Sequence, residues 1–421
     1  MLSNDKLSRR SFLKISGVAA AGLGLVACGG GASETQSTSE EAAGADAAAA
    51  AGTAFMIGGI GPVTGPAAIY GSACKYAAQV AVDEVNAEGK IQMELNFQDD
   101  EHDPEKSVNA YNNLKDWGMQ ILVGTTTTTP CVAVSSETNA DRIFQLTPSA
   151  SSVNVIGGEE IGADNPRKDN VFQMCFTDPN QGTASAKYIS GQKLGTKIAI
   201  IYNNADAYST GIYQKFVDEA KSVGLDIVST TTFTDDQTDF SVQVKDAKDA
   251  KADLVFLPIY YTPASLILAE AKKQDFKPKF FGVDGMDGIL DLEGFDTSLA
   301  EGVMLLTPFV ATAEDEATQA FDEAYKKEAG TDANPNQFAA DAYDCVKAIA
   351  QAIDEAGITP DMSTEEMCDA LIAQFTNPDF KYSGLTGDSS WSTTGEVTKT
   401  PKGMVIENGV YMPLDGEGAA K

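Results

Sequence analysis

Phe55-Met56-Ile57-Gly58-Gly59-Ile60 is a short apolar run of strand length, and the residues behind it decide the class of fold. Ala77, Val80, Ala81 and Val85 then recur at helical spacing and stop at Gly89, so a strand is followed by an amphipathic crossover helix. Residues 92–97 alternate as a second strand. Asp103-Pro104 is a helix start, with Asp as N-cap and Pro in the first turn, and that helix is expected to run to Trp117. Residues 121–123 and 143–146 supply two more strands, each ending in a hydroxyl-rich loop. Apolar runs alternating with helical periodicity are the pattern of βα units on a mostly parallel sheet.

A second series follows Val171: a helix from Gln181, a buried strand at 198–201, a helix over 211–223, a strand over 225–232, a helix over 241–250 and a strand at 254–257. Helical periodicity returns at 321–327 and in Ala342, Val346, Ile349, Ala350 and Ile353, stopped by Gly357. The stretch from Trp391 is rich in Thr and Gly and reads as short strands. No repeat links the two series. The expected fold class is α/β, with two doubly wound, Rossmann-like lobes.

The N-terminus carries Arg9 and Arg10 ahead of an apolar run over residues 15–27, too short to span a bilayer. Ser8-Arg9-Arg10-Ser11-Phe12-Leu13-Lys14 matches the twin-arginine export pattern. Leu25-Val26-Ala27-Cys28 resembles a bacterial lipobox, which makes Cys28 the expected lipid attachment point; the other reading is a free cysteine in an ordinary leader. Residues 1–27 are thus read as a lipoprotein signal peptide. Residues 28–53 contain too little apolar bulk to fold and read as a flexible acidic, Ala-rich tether.

Without residues 1–27 the chain keeps 394 residues, enough for two domains, with 26 basic and 60 acidic side chains and a net charge of −34. Such a surface argues against nucleic acid and anionic headgroups as partners, which need a basic face. Strong acidity also marks salt-adapted proteins, but 26 lysines against four arginines in the whole chain fit that poorly. The five cysteines at 74, 131, 175, 345 and 368 form no CxxC pair, so no zinc or redox motif is expected, and no metal or cofactor.

Nor is catalysis expected. The single histidine, His102, lies in Asp99-Asp100-Glu101-His102-Asp103, where the acids read as solvated loop caps; there is no GxSxG elbow and no HExxH. The glycines at 58, 59 and 61 fail the dinucleotide fingerprint, since Thr64 stands where the third glycine is needed. What the residues do offer is anion-binding chemistry. Residues 125–129 are five threonines before Pro130, and Ser149, Ser151 and Ser152 follow Pro148. Both groups stand at strand C-terminal ends, where ligands of open α/β sheets bind. Plain helix capping is the alternative reading of both loops.

Taken together, these residues resemble the branched-chain amino acid (Leu/Ile/Val) binding proteins, solute receptors of ABC importers with the type I periplasmic binding fold. The likeness covers nearly all of residues 55–413. It rests on Gly61-Pro62-Val63-Thr64-Gly65-Pro66 with Tyr70-Gly71, on Val82-Asp83-Glu84-Val85-Asn86-Ala87-Glu88-Gly89, and on Asp99-Asp100 with Asp103-Pro104. Thr147-Pro148-Ser149-Ala150, Asp239-Phe240-Ser241 and Ala342-Tyr343-Asp344 complete it.

The resemblance implies two lobes joined by a multi-strand hinge, residues 54–170 with 311–380 and residues 171–310 with 381–413, followed by a tail at 414–421. It implies that an amino acid or related small amide is held between them and delivered to an ABC permease. In the site, Thr128, Ser149 and Ser151 would hold the carboxylate and Asp284 the ammonium, while Tyr208, Tyr260 and Tyr70 would close over the ligand. A monomer is expected, anchored outside the cytoplasmic membrane. The same cleft would equally serve a sensing lipoprotein coupled to a signalling receptor. One departure stands out: the family's first-lobe disulfide would need cysteines near His102 and Thr127, which are absent, and a bridge between Cys74 and Cys131 is the conceivable replacement.

Overall fold

A computed structural model describes residues 54–414 except 159–164, 332 and 400. The leader, Cys28, the tether and residues 415–421 therefore lie outside the described residues. The first sheet is built by β1 (Phe55–Gly61), β2 (Met93–Asp99), β3 (Ile121–Gly124), β4 (Phe144–Thr147) and β5 (Val171–Gln173), all parallel in the order β2-β1-β3-β4-β5. Its crossovers are α1 (Ala68–Glu88), α2 (Pro104–Trp117), α3 (Thr128–Asp141) and the single turn α4 (Val153–Ile156). Local chemistry sets these boundaries as expected. Asp103 accepts from the Lys106 N–H at the start of α2, and Gly118, with φ of 99°, ends it.

After β5 the chain enters the second sheet through α5 (Asp178–Gly191). There follow β6 (Lys197–Asn203), α6 (Ala207–Val223), β7 (Asp226–Phe233), α7 (Ser241–Asp249), β8 (Leu254–Leu257), α8 (Tyr261–Lys273), β9 (Lys279–Gly282) and β10 (Met304–Thr307). The helices α9 (Glu316–Ala329), α10 (Gln337–Ala356) and α11 (Thr364–Phe375) then return to the first lobe, with the hairpin β11 (Tyr382–Gly384) and β12 (Gly387–Ser389). Finally β13 (Lys402–Glu407) pairs antiparallel with β10, and β14 (Val410–Pro413) with β13, giving the order β14-β13-β10-β9-β8-β6-β7. The chain thus passes between the sheets three times, after β5, after β10 and before β13.

Each sheet has its own core. Phe144, Phe172, Phe375, Phe380 and Trp391 stack in the first lobe, with Phe375 fully buried among the other four; burying one such ring contributes about 1.5–3 kcal/mol. Phe216, Phe256 and Phe281 do the same in the second. A further apolar cluster joins Tyr70, Ala73 and Ala77 of α1 and Phe338 of α10 to Leu257, Ile259 and Tyr261, so the lobes touch along the cleft.

The structure departs from expectation at several points. Val171–Gln173 pair with β4 and so extend the first sheet, and Tyr382, Trp391 and Val397 pack into the first lobe's core. The first lobe therefore reaches past both expected boundaries, 170 and 380. The helices α8 and α11 were not expected, although Ala264, Ile267, Leu268 and Ala271 carry the helical period and Ser363 with Glu366 forms a capping box. Cys74 and Cys131 do not bridge; all five described cysteines are free and buried. The Cys74 thiol donates to the Phe338 carbonyl on one side of the sheet, while Cys131 lies under Gln145 Nε2 at 3.3 Å on α3.

Candidate functional site

In open parallel sheets a crevice forms outside the strand C-termini where the strand order reverses. That strand is β1 in the first sheet, between β2 and β3, and β6 in the second, between β7 and β8. The segments leaving β1, β3 and β4 therefore face those leaving β6, β8 and β9. One small cavity lies between them, lined by Tyr70, Thr126, Thr127, Ser149 and Phe338 from the first lobe and Tyr208, Tyr260, Asp284 and Gly285 from the second.

Tyr70 stands two residues into α1. Gly71 next to it has no room for a side chain, since a Cβ there would come within 2.0 Å of the Pro62 carbonyl; α1 is thus seated directly on the turn after β1. From that seat the Tyr70 hydroxyl donates across the cleft to the Gly285 carbonyl at 2.5 Å, and its ring meets Tyr260 and Phe338 at 5.6 and 4.4 Å. The Ser149 hydroxyl donates to the Thr126 carbonyl at 2.6 Å and locks the two hydroxyl-rich turns together.

On the opposite wall, Asp284 opens a tight turn, Asp284–Met286, directly after β9. Its Oδ1 accepts from the Tyr208 hydroxyl at 2.5 Å and the Gly285 N–H at 2.7 Å, its Oδ2 from Gln181 Nε2 at 2.8 Å. Gly285 is required here, because a Cβ would sit 2.5 Å from that hydroxyl. Tyr208 and Tyr260 are stacked, 4.7 Å apart and 7° from parallel. Asp284 is 2% exposed. Burial pushes its carboxyl up to about 6, against the opposing pull of the Tyr208 and Gln181 hydrogen bonds.

Of the seven residues expected in the site, the structure brings five together: Tyr70, Ser149, Tyr208, Tyr260 and Asp284. Thr128 is buried as the first residue of α3 and does not line the cavity; Thr126 and Thr127 do, since the chain is still extended at Thr127 (φ −106°, ψ 153°) before the helix turns Thr128 away. Ser151 points elsewhere too. Its carbonyl accepts the Asp178 N–H at 2.9 Å, and its buried hydroxyl does not line the cavity. Sequence reasoning missed Phe338, Gly285 and Gln181. Phe338 and Gln181 lie far along the chain from the turns they meet, and neither stands in a motif. It also missed the contact between Thr129 Oγ1 and Asp206 Oδ1, 3.2 Å, which joins α3 to α6 across the cleft.

A profile of the family described as periplasmic binding proteins matches residues 55–404. The chain belongs to that family. A profile of the twin-arginine translocation signal matches residues 6–26, so this periplasmic binding protein is exported from the cytoplasm. It is 27% identical over 347 residues to Leu/Ile/Val-binding protein homolog 3 of Brucella melitensis, covering 82% of this chain and 89% of that one. Over 321 residues it is 25% identical to the leucine-, isoleucine-, valine-, threonine- and alanine-binding protein of Pseudomonas aeruginosa, covering 74% and 80%. Among solved structures, the isoleucine complex of the transporter substrate-binding protein LivJ from Streptococcus pneumoniae superposes with a TM-score of 0.74 at 26% identity, over 85% of this chain and 97% of that one. The type I periplasmic binding fold is therefore established.

The buried acids give this site a pH signature. Burial raises Asp206, Asp284 and Asp287 to about 6 each, above the ordinary value near 4. Between about pH 6 and 4 the folded protein therefore binds protons that the unfolded chain does not, so stability rises as pH falls through that window. Relief of self-repulsion at a net charge of −31 acts in the same direction. The melting temperature of the ligand-free protein is expected to be higher at pH 5 than at pH 7.5 by several degrees; a lower value at pH 5 would contradict the assignment.

Proposed function

We propose that this periplasmic binding protein captures an α-amino acid, with a branched-chain one the leading candidate, between its lobes and delivers it to an ABC importer. The observation that carries the reading is the pairing of unlike walls across one cavity. The first lobe presents the hydroxyl turns at Thr126, Thr127 and Ser149 beside the N-terminus of α3; the second presents the Asp284 carboxylate held by Tyr208 and Gln181. Hydroxyls and free N–H groups at a helix start suit a carboxylate, and a buried acid between tyrosines suits an ammonium. The names of the relatives and the isoleucine in LivJ support the same ligand class.

The cavity has about 10 Å³ of free volume, room for about one water. An amino acid therefore enters only when the lobes part, and is then gripped from both sides, so binding favours closure through contacts made by each lobe. Tyr70 to Gly285, Thr129 to Asp206 and Gln337 to Asp287 are among the links that must break and re-form. The reading is of a carrier, not an enzyme. Cys28 supplies the lipid anchor and the protein works as a monomer. A thermal-shift screen against the twenty amino acids and small amides tests the proposal: a ligand at 100 times its Kd stabilises by about 2.7 kcal/mol, a shift of several degrees. A flat response across the whole set would end it.

A further inference from the structure

His102 lies in the turn between β2 and α2, and both it and Glu101 adopt left-handed backbone angles, φ 63° and 51°. Such angles are strained for non-glycine residues and persist only where the surroundings hold them. Here two aspartates do so. Asp99 Oδ1 accepts the Glu101 N–H and Asp100 Oδ1 the His102 N–H, both at 3.0 Å. The turn aims the only imidazole of the chain into the seam between the lobes. Its Nδ1 is 2.9 Å from Thr127 Oγ1 of the first lobe, and its ring meets Tyr260 of the second edge to face, 5.6 Å away at 88°. Both neighbours are walls of the cavity.

We infer that His102 is a positioning residue that favours lobe closure only while its ring is neutral, which makes solute capture sensitive to pH. The inference rests on the reading of the cleft as the solute site. A neutral ring can take the Thr127 hydrogen on Nδ1 and lie against Tyr260. An imidazolium has no lone pair to offer, so the Thr127 hydroxyl would have to turn towards the cavity. Closure would also strip water from the charged ring without giving it a carboxylate to bond, since its hydrogen bond is to a hydroxyl.

Other charged groups do face it. Asp103 on its own turn and Asp235 on the turn after β7 favour the cation, while Tyr260 at the N-cap of α8 is neutral; Asp99, Asp100 and Glu101 are its neighbours along the chain. Burial outweighs the two acids and holds the ring below its ordinary value. The sign follows. With the closed form binding the proton less well than the open form, the His102 contribution to affinity is complete above about pH 6.5 and is lost as pH falls below it.

Because the chain has one histidine, imidazole NMR reads this residue alone. The mature protein, labelled with ¹⁵N-histidine, is titrated free and saturated with L-isoleucine, or with whichever amino acid gives the largest shift in the screen above. The midpoint is expected to fall by about half a pH unit or more on saturation, the size that a change in burial imposes. In parallel, calorimetry compares wild type with H102Q. Between pH 7.5 and 5.5 the wild-type Kd is expected to rise about threefold more than that of H102Q, the fold-change equivalent to that half unit; titration of Asp284 is common to both and cancels. An unchanged or raised midpoint, or parallel Kd profiles, overturns the role of His102 while leaving the solute reading intact. Absence of binding by every amino acid strikes the solute reading itself and this inference with it.

Discussion

Replacing Asp284 with alanine is expected to raise the Kd for the captured amino acid about a hundredfold or more, while the ligand-free protein melts no lower than wild type. The two halves of this result have one cause. Truncating one partner of a buried, hydrogen-bonded charge pair costs about 2–5 kcal/mol, most of it the penalty of leaving the other charge buried alone, and about 2.7 kcal/mol is a factor of a hundred. In the free protein the situation is reversed, because Asp284 is then a nearly inaccessible acid with no cation beside it and is already pushed up to about 6 by burial. Removing it relieves that penalty, and Tyr208, Gln181 and the Gly285 N–H lose an acceptor that water can replace. Calorimetry and thermal melting read both quantities. A Kd within a few-fold of wild type would remove Asp284 from the ammonium site.

The second large effect lies outside the cleft, where the last crossing segment meets the first lobe. The side chain of Lys399 is fully buried, and its Nζ donates to Asp341 Oδ1 on α10 and to Thr386 Oγ1, each at 2.5 Å. Thr386 in turn donates both its N–H and its hydroxyl to Asp344, which also receives the Tyr382 hydroxyl. Lys399→Ala would leave Asp341 buried without its cation, and breaking such a pair from one side costs about 3–5 kcal/mol. Denaturant unfolding is expected to show a loss of that size. The double variant Lys399→Met with Asp341→Leu is expected to recover most of it, since replacing both charges by apolar groups of similar volume is often neutral. A single variant as stable as wild type would mean that the pair is solvated after all.

How far the sequence carried the structure can be followed residue by residue. The first βα unit was legible because its signals are local: the apolar run from Phe55, the helical face through Ala77 and Val85, and the Asp103-Pro104 start are all set by near neighbours. Tyr208, Tyr260 and Asp284 were placed by resemblance, and they meet because each lies in a segment leaving the C-terminal end of one of the parallel strands β6, β8 and β9. The threonine run resisted, since five identical side chains carry no phase, and only the extended backbone at Thr127 before α3 decides which hydroxyls face the cavity. Ser151 was misplaced for a similar reason, because the turn after β4 directs Ser149 inward and Ser151 towards α5. The lobe boundaries went astray where tertiary packing overrides sequence order: Trp391 donates its indole N–H to the Gln173 carbonyl, a contact between residues 218 positions apart.

That contact and the pairing of β13 with β10 carry a consequence for biosynthesis. The first lobe lacks α10, α11, its hairpin and Trp391 until residue 391 has emerged from the ribosome, and the second sheet lacks two of its seven strands until Pro413 has. Neither half can reach its final packing before those late segments are available, so the two mature together. An export route that accepts folded cargo gives such a chain the interval it needs.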